Sequence, residues 1–251
     1  MNQENVFFHH RSKQRIKDLG EVFTPDAFVH QMLDLLVSGV EDSKIWADEN
    51  KIFFEPTCGH GNFVTAILER RLNAISTSAK KNRDPQYSLY SIANSINTIW
   101  AIDIDKKNVE ECRYRALSVI MSFWSQSTGT SYKLLLKQNR KFFIHLLCAI
   151  QWHIHENEAL SALSDEGQSK KSASKTDLGS KWINTNKHRP LDFELTWCEY
   201  FQQGLKHKYK VIEFERASSF VDSLLTGQEI KGFEEFSFAL EVISIRDVRV
   251  A

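Results

Sequence analysis

The segment from Lys51 to Asn73 limits the fold of this 251-residue chain more than any other. It opens with Lys51-Ile52-Phe53-Phe54-Glu55, a short apolar run that stops at Pro56. Such a run, bounded by turn residues, reads as a buried strand of a parallel sheet. Cys58-Gly59-His60-Gly61-Asn62 follows as a glycine turn, and Phe63 to Asn73 then reads as a helix. Two glycines let the backbone turn tightly and approach a ligand with no Cβ in the way. In open α/β sheets the ligand crevice lies beyond the carboxyl ends of the strands, which is where this turn belongs. The glycines lack the spaced G-x-G-x-x-G fingerprint, and no Gly-Lys-Ser/Thr phosphate loop is present.

Other segments extend the α/β pattern. Residues 26–38 carry Phe28, Met32, Leu35 and Leu36 at helical spacing, with Thr24 or Asp26 placed to cap them. Residues 74–95 are rich in Ser, Asn and Lys and read as a loop. Thr98 to Ile104 reads as a second strand ending in acid, Lys106 to Trp124 as a helix, and Tyr132 to Ile150 as another. Ile150 to His155 is a weak strand, and Tyr209 to Phe214 reads as a further one. Glu234 to Val250 is a strand pair or a helix plus a strand. Residues 1–19 form a polar arm with Arg11, Lys13, Arg15 and Lys17 clustered, and a loop-rich insertion spans about 164–200. Alternating strands and helices make this an α/β chain with a mostly parallel sheet.

Composition narrows the class. With 32 Lys+Arg against 32 Asp+Glu the net charge is zero, which excludes a uniformly basic nucleic-acid coat but not a basic face. Residues 106–141 are basic and 217–251 acidic, so the charge is segregated along the chain. The four cysteines, Cys58, Cys112, Cys148 and Cys198, form no C-x-x-C pair, which argues against a zinc or disulfide framework. His9-His10 and His153/His155 have no third ligand at metal spacing, so no metal site is expected. No apolar stretch is long enough for a membrane span and the N-terminus has no apolar signal core, so a cytoplasmic protein is expected. Trp182, Lys187, His188, Arg189 and Trp197 mix aromatic and basic groups. That mixture suits stacking on nucleic acid, although a structured insertion with core tryptophans explains it slightly better.

Ala101-Ile102-Asp103-Ile104-Asp105 lies about forty residues beyond the glycine turn, with Asp103 at a strand end, placed to accept from ribose hydroxyls. Together, Gly20-Glu21-Val22-Phe23-Thr24-Pro25, Glu55 to Phe63 and Ile102 to Asp105 resemble the nucleoside-binding half of DNA adenine-N6 methyltransferases with the gamma order of motifs. The resemblance covers about residues 20–160. It implies a Rossmann-like methyltransferase fold over residues 20–251, incomplete in its C-terminal half, with S-adenosyl-L-methionine as cofactor. Phe23, Thr24 and Pro25 would wall the methionine end of that cofactor. Glu55 would face its ammonium, and Pro56, Cys58, Gly59, Gly61 and Asn62 would line it. Asp103 would hold the ribose beside Ile104. Glu158 resembles the acid that accepts from the cofactor adenine, and equally reads as a solvated loop acid.

The resemblance fails at the catalytic loop. The family's Asn/Asp-Pro-Pro-Tyr/Phe loop accepts hydrogen bonds from the target amine and stacks on a flipped base. The four prolines here are Pro25, Pro56, Pro85 and Pro190, and no Pro-Pro exists. In its place, after the expected strand 209–214, stand Glu215, Arg216, Ala217 and Ser218, with Phe220 beyond them. Glu215, Ser218 and Phe220 are therefore the degenerate catalytic candidates. Two readings follow. One is an adenine-specific DNA methyltransferase of restriction-modification type, or one part of a split enzyme whose partner protein completes the sheet or the catalytic half. The other is a catalytically inactive methyltransferase-like module that binds DNA or a partner protein. The cofactor half alone does not separate DNA from RNA or protein as substrate.

Overall fold

The computed structural model describes residues 24–37, 42–48, 51–78, 85–159, 208–227 and 230–247. Three short strands, β1 (Phe53–Glu55), β2 (Ile99–Asp103) and β3 (Ile154–Glu156), form an open parallel sheet in the order β1-β2-β3. Phe53 is registered with Ile99 and Glu55 with Ala101; Ala101 is registered with Ile154 and Asp103 with Glu156. The first four residues of β2 are all buried, as a central strand covered on both faces requires.

Helices dominate the remainder. They are α1 (Asp26–Leu35), α2 (Asn62–Ser78), α3 (Pro85–Asn97), α4 (Lys106–Thr128), α5 (Tyr132–Gln138), α6 (Arg140–His153), α7 (Lys208–Thr226) and α8 (Ser237–Asp247). Short 3-10 turns occupy Asp42–Trp46 and Glu234–Phe236. Helix α4 shows how sequence sets these bounds. The Asp105 carboxylate accepts from the Lys107 N–H at 2.8 Å and starts the helix, while Gly129 in the left-handed region ends it. Between them Val109, Cys112, Ala116, Leu117, Ile120 and Trp124 recur at helical spacing and are buried. Helices α2 and α4 pack on each other and on β2; α3 and α6 also pack together against β2.

Several expectations are corrected. Residues 74–78 and 85–95 are helix rather than loop: α2 runs on to Ser78, and α3 starts at Pro85. Ile92, Ala93 and Ile96 form the buried face of α3, and Ser88, Ser91 and Ser95 are buried with them. The single helix expected over 132–150 is broken at Asn139 (φ −123°, ψ 42°) into α5 and α6, and α6 delays β3 to Ile154. Helix α1 is capped by neither Thr24 nor Asp26. Pro25 is its N-cap, and its carbonyl accepts from the Phe28 and Val29 N–H groups. The face of α1 turned inward carries Val29 and Leu33, and the predicted stripe of Phe28, Met32, Leu35 and Leu36 is exposed. The segment 209–214 is helix, part of α7, rather than a strand.

A buried and a half-buried arginine fasten the layers. Arg71 donates to the Ile45 carbonyl at 3.3 Å and the Asp48 carbonyl at 3.1 Å while lying over the Phe53 ring. Arg113 donates to the carbonyls of Gln151 (2.9 Å) and Ile154 (2.7 Å), at the junction of α6 and β3. Burial lowers its pKa to about 10, so it stays protonated. The chain is thus mixed α/β, mostly helical, around a small open parallel sheet. Among the described residues no helix is long and apolar enough to cross a membrane. The N-terminal arm 1–19, the insertion 164–200 and the aromatic-basic group within it lie outside the described residues.

Candidate functional site

The glycine turn and the end of β2 meet directly. The Cys58 N–H donates to the Ile102 carbonyl at 2.9 Å, so the chain leaving β1 stays attached to β2. Gly59, at φ +52°, then donates its N–H to Asp103 Oδ2 at 2.9 Å. Asp103 Oδ1 accepts from the Asp105 N–H at 2.9 Å and from the Asn108 carboxamide at 3.2 Å. An ionised carboxylate offers about four acceptor positions, so Oδ2 keeps capacity for a further donor such as a hydroxyl. Open space lies where a Cβ on Gly59 would point. Gly61 is different. An ideal Cβ there would lie 2.7 Å from Cys112 Sγ and 3.1 Å from its Cα, so this glycine lets the turn pack against α4.

Glu55 ends β1 beside this junction and accepts from the Thr57 N–H at 3.2 Å and the Thr57 hydroxyl at 3.4 Å. Burial raises its pKa above 4.5, and the charge of Asp103 adds to that. Cys58 and Cys112 are buried free thiols. The hydrogen bond to Cys112, then burial, then the charges of Asp103 and Glu55 push the Cys58 thiol well above its ordinary range. Cys58 is therefore a neutral wall of the turn, not a nucleophile.

A second set of contacts closes the turn from the other side. Arg115, on α4, donates to the His60 carbonyl at 3.2 Å and to Asn62 Oδ1 at 2.5 Å. The Asn62 amide donates in turn to the Thr24 carbonyl at 2.8 Å. Thr24-Pro25 is thereby held to the start of α2, where the sequence placed both groups in one site. Phe23 lies outside the described residues. Nothing in the sequence marks this role of Arg115, since a helical Arg does not announce partners 55 and 53 residues upstream.

Beyond β2 and β3 the crevice edge carries Ile104, an apolar side chain 62% exposed, and Glu156, also exposed. Asn157 is buried, and its N–H donates to the Asp103 carbonyl at 2.9 Å. Neither Oδ1 nor Nδ2 of Asn157 has a hydrogen-bond partner among the described residues. Glu158, the sequence candidate, follows immediately and is partly buried.

The degenerate catalytic candidates lie elsewhere in the architecture. Glu215, Ser218 and Phe220 sit on α7, not on a loop after a strand. Ser218 accepts from Arg140, whose guanidinium also grips both oxygens of Asp222 at 2.8 and 2.6 Å. Arg216 pairs with Glu235. Phe220 is fully buried against Phe233 and Phe236. These contacts are those of a packed helix. His153 stacks on Trp100 at 4.3 Å and bonds the Ile96 carbonyl, as a core histidine does. Among the described residues no group of three or more His, Cys, Asp or Glu is placed to hold a metal ion.

The structure therefore brings Thr24, Cys58, Gly59, Gly61, Asn62 and Asp103 together through hydrogen bonds and close packing at the carboxyl edge of the sheet, with Glu55 at the end of β1 bonded to Thr57 beside them. Searches against family models, curated proteins and solved structures found no match for this chain.

Proposed function

We propose that the chain is an S-adenosyl-L-methionine-binding protein with a Rossmann-like methyltransferase fold, related to the DNA adenine-N6 methyltransferases. The observation that carries this reading is the Gly59 N–H to Asp103 bond. It ties an open glycine turn to a strand-end carboxylate that still has acceptor capacity. The surroundings fit the cofactor: Glu55 for an ammonium, Asp103 for ribose hydroxyls, and exposed Ile104 as an apolar surface for a base. Calorimetry with S-adenosylmethionine and S-adenosylhomocysteine tests it. Binding that Asp103→Ala weakens supports the reading; no binding by the folded protein refutes it.

For the chemistry, a specific observation favours the non-catalytic alternative. The residues standing for the target-amine loop are helical, with Ser218 held by Arg140 and Phe220 in the core. We read the chain as a catalytically inactive cofactor-binding module that binds DNA or a partner protein. A radiolabelled methyl-transfer assay on mixed-sequence DNA should show no incorporation by the chain alone. Robust incorporation without a partner would restore the complete-enzyme reading.

A further inference from the structure

Helix α4 braces the glycine turn along one face. Asn108, Cys112 and Arg115 follow one another at intervals of four and three residues, so they share that face. Asn108 donates to Asp103 Oδ1 at 3.2 Å, and Cys112 packs where a Cβ on Gly61 would point. Arg115 reaches past the turn. It donates to the His60 carbonyl and to Asn62 Oδ1. Asn62, only 8% exposed, passes the contact on by donating from Nδ2 to the Thr24 carbonyl at 2.8 Å. Thr24-Pro25 leads straight into α1, whose Phe28 and Val29 N–H groups donate to the Pro25 carbonyl.

This relay has a direction. A guanidinium donates and never accepts, so Arg115 selects the amide oxygen and turns Nδ2 towards Thr24. The Thr24 carbonyl demands the same orientation, so the two bonds support each other. A flipped amide would set oxygen against the Thr24 carbonyl and NH2 against the guanidinium, two repulsions in place of two hydrogen bonds. The cofactor reading lays the nucleoside over Asp103 and Ile104 on the β2 side and the amino-acid end at Glu55, which ends β1. Asn62 opens α2, the helix that follows β1 and packs on α1. Thr24-Pro25, tied to that first residue of α2, borders the amino-acid end. We propose that Arg115 is a positioning residue for the amino-acid end of the cofactor. Through Asn62 it holds Thr24-Pro25 to the turn as one wall of the crevice. The nucleoside end keeps its own supports, the Gly59 and Asn108 bonds to Asp103. The assignment rests on the cofactor reading above and adds to it the residue that sets one wall.

Calorimetry on the full chain tests it with S-adenosylhomocysteine and 5′-methylthioadenosine, which shares the nucleoside and sulfur but lacks the amino-acid end. Arg115→Met keeps the length of the side chain and removes its donors. It should weaken S-adenosylhomocysteine by about tenfold and change methylthioadenosine by less than about threefold. A role confined to holding the fold would weaken both ligands alike. Asn62→Asp keeps the shape and the bond to Arg115 but turns an acceptor on the Thr24 carbonyl. It should show the same selective loss, and it serves if Arg115→Met fails to fold. The double variant should lose little more than either single one, because both act through the Thr24 contact. An S-adenosylhomocysteine affinity unchanged in either folded variant, both ligands weakened alike, or losses that multiply in the double variant overturns the Arg115 assignment alone. Binding of neither ligand by folded wild type overturns the cofactor reading and this assignment with it.

Discussion

Gly59 and Gly61 stand two residues apart and are needed for different reasons. Gly61 has φ +96°, and any Cβ would strike Cys112, including its backbone. Strain and overpacking together make Gly61→Ala destabilising by about 3 kcal/mol in urea unfolding. Gly59 has only its left-handed backbone to lose, so Gly59→Ala should cost about 1 kcal/mol. Glu55 adds a pH signature. Its pKa is raised in the fold, so the protonated form stabilises the native state below pH 4.5, and that contribution is lost as pH rises through the raised value. Glu55→Gln should therefore gain stability relative to wild type above that value and match it below. A cofactor ammonium prefers the ionised form, so wild-type binding should tighten over the same rise in pH. Asp103 and the glycines were legible in the sequence because strand-end acids and glycine turns recur at fixed places in α/β units. Asn157 and Arg115 were not. Their roles depend on partners brought together by β3 and α4, and neither residue type is distinctive in a linear pattern.

At the scale of elements, β1, β2, α2 and α4 were legible, whereas β3 begins four residues later than expected and the segments of α3 and α7 read as a loop and a strand. Helix α3 looks like a loop because its buried face mixes Ser88, Ser91 and Ser95 with Ile92 and Ile96. Small serines fit close helix contacts and bond their own carbonyls, as Ser91 does to Tyr87 at 2.9 Å. In α7 the alternation over 209–214 suggests a strand, but Ala217, Phe220, Val221 and Leu224 continue at helical spacing and settle the element. The exposed stripe on α1 shows the same limit: period identifies a helix, while packing decides which face turns inward. Helix α6 carries a measurable consequence. Burial, assisted by the charge of Lys141, lowers the His145 pKa from 6.5 to about 3. A lowered histidine stabilises the fold above its unfolded value, and that stabilisation is lost as pH falls below 6.5. Denaturant titrations between about pH 6.5 and 3 should show stability falling with one extra proton taken up on unfolding, and His145→Gln should flatten that slope.

Over the whole molecule, α7 and α8 complete the core rather than extend the sheet. Helix α7 packs on α6, and α8 packs on α4. Phe220→Ala should cost about 3–5 kcal/mol in thermal or denaturant unfolding, as a fully buried aromatic does. Asp222→Asn, at a half-exposed ion pair, should cost less than about 1 kcal/mol. A large loss of ligand binding in folded Phe220→Leu would instead tie that residue to the site. The tight contact between Gly61 and Cys112 gives the molecule a clock of its own. Neither Cys112 nor Cys58 meets solvent while the turn stays seated on α4, so an alkylating reagent reaches them only during brief separations. Their labelling rate then counts how often the crevice floor lifts. A bound nucleoside should slow that count at Cys58 and Cys112 while leaving Cys148, buried in α6, on its own schedule.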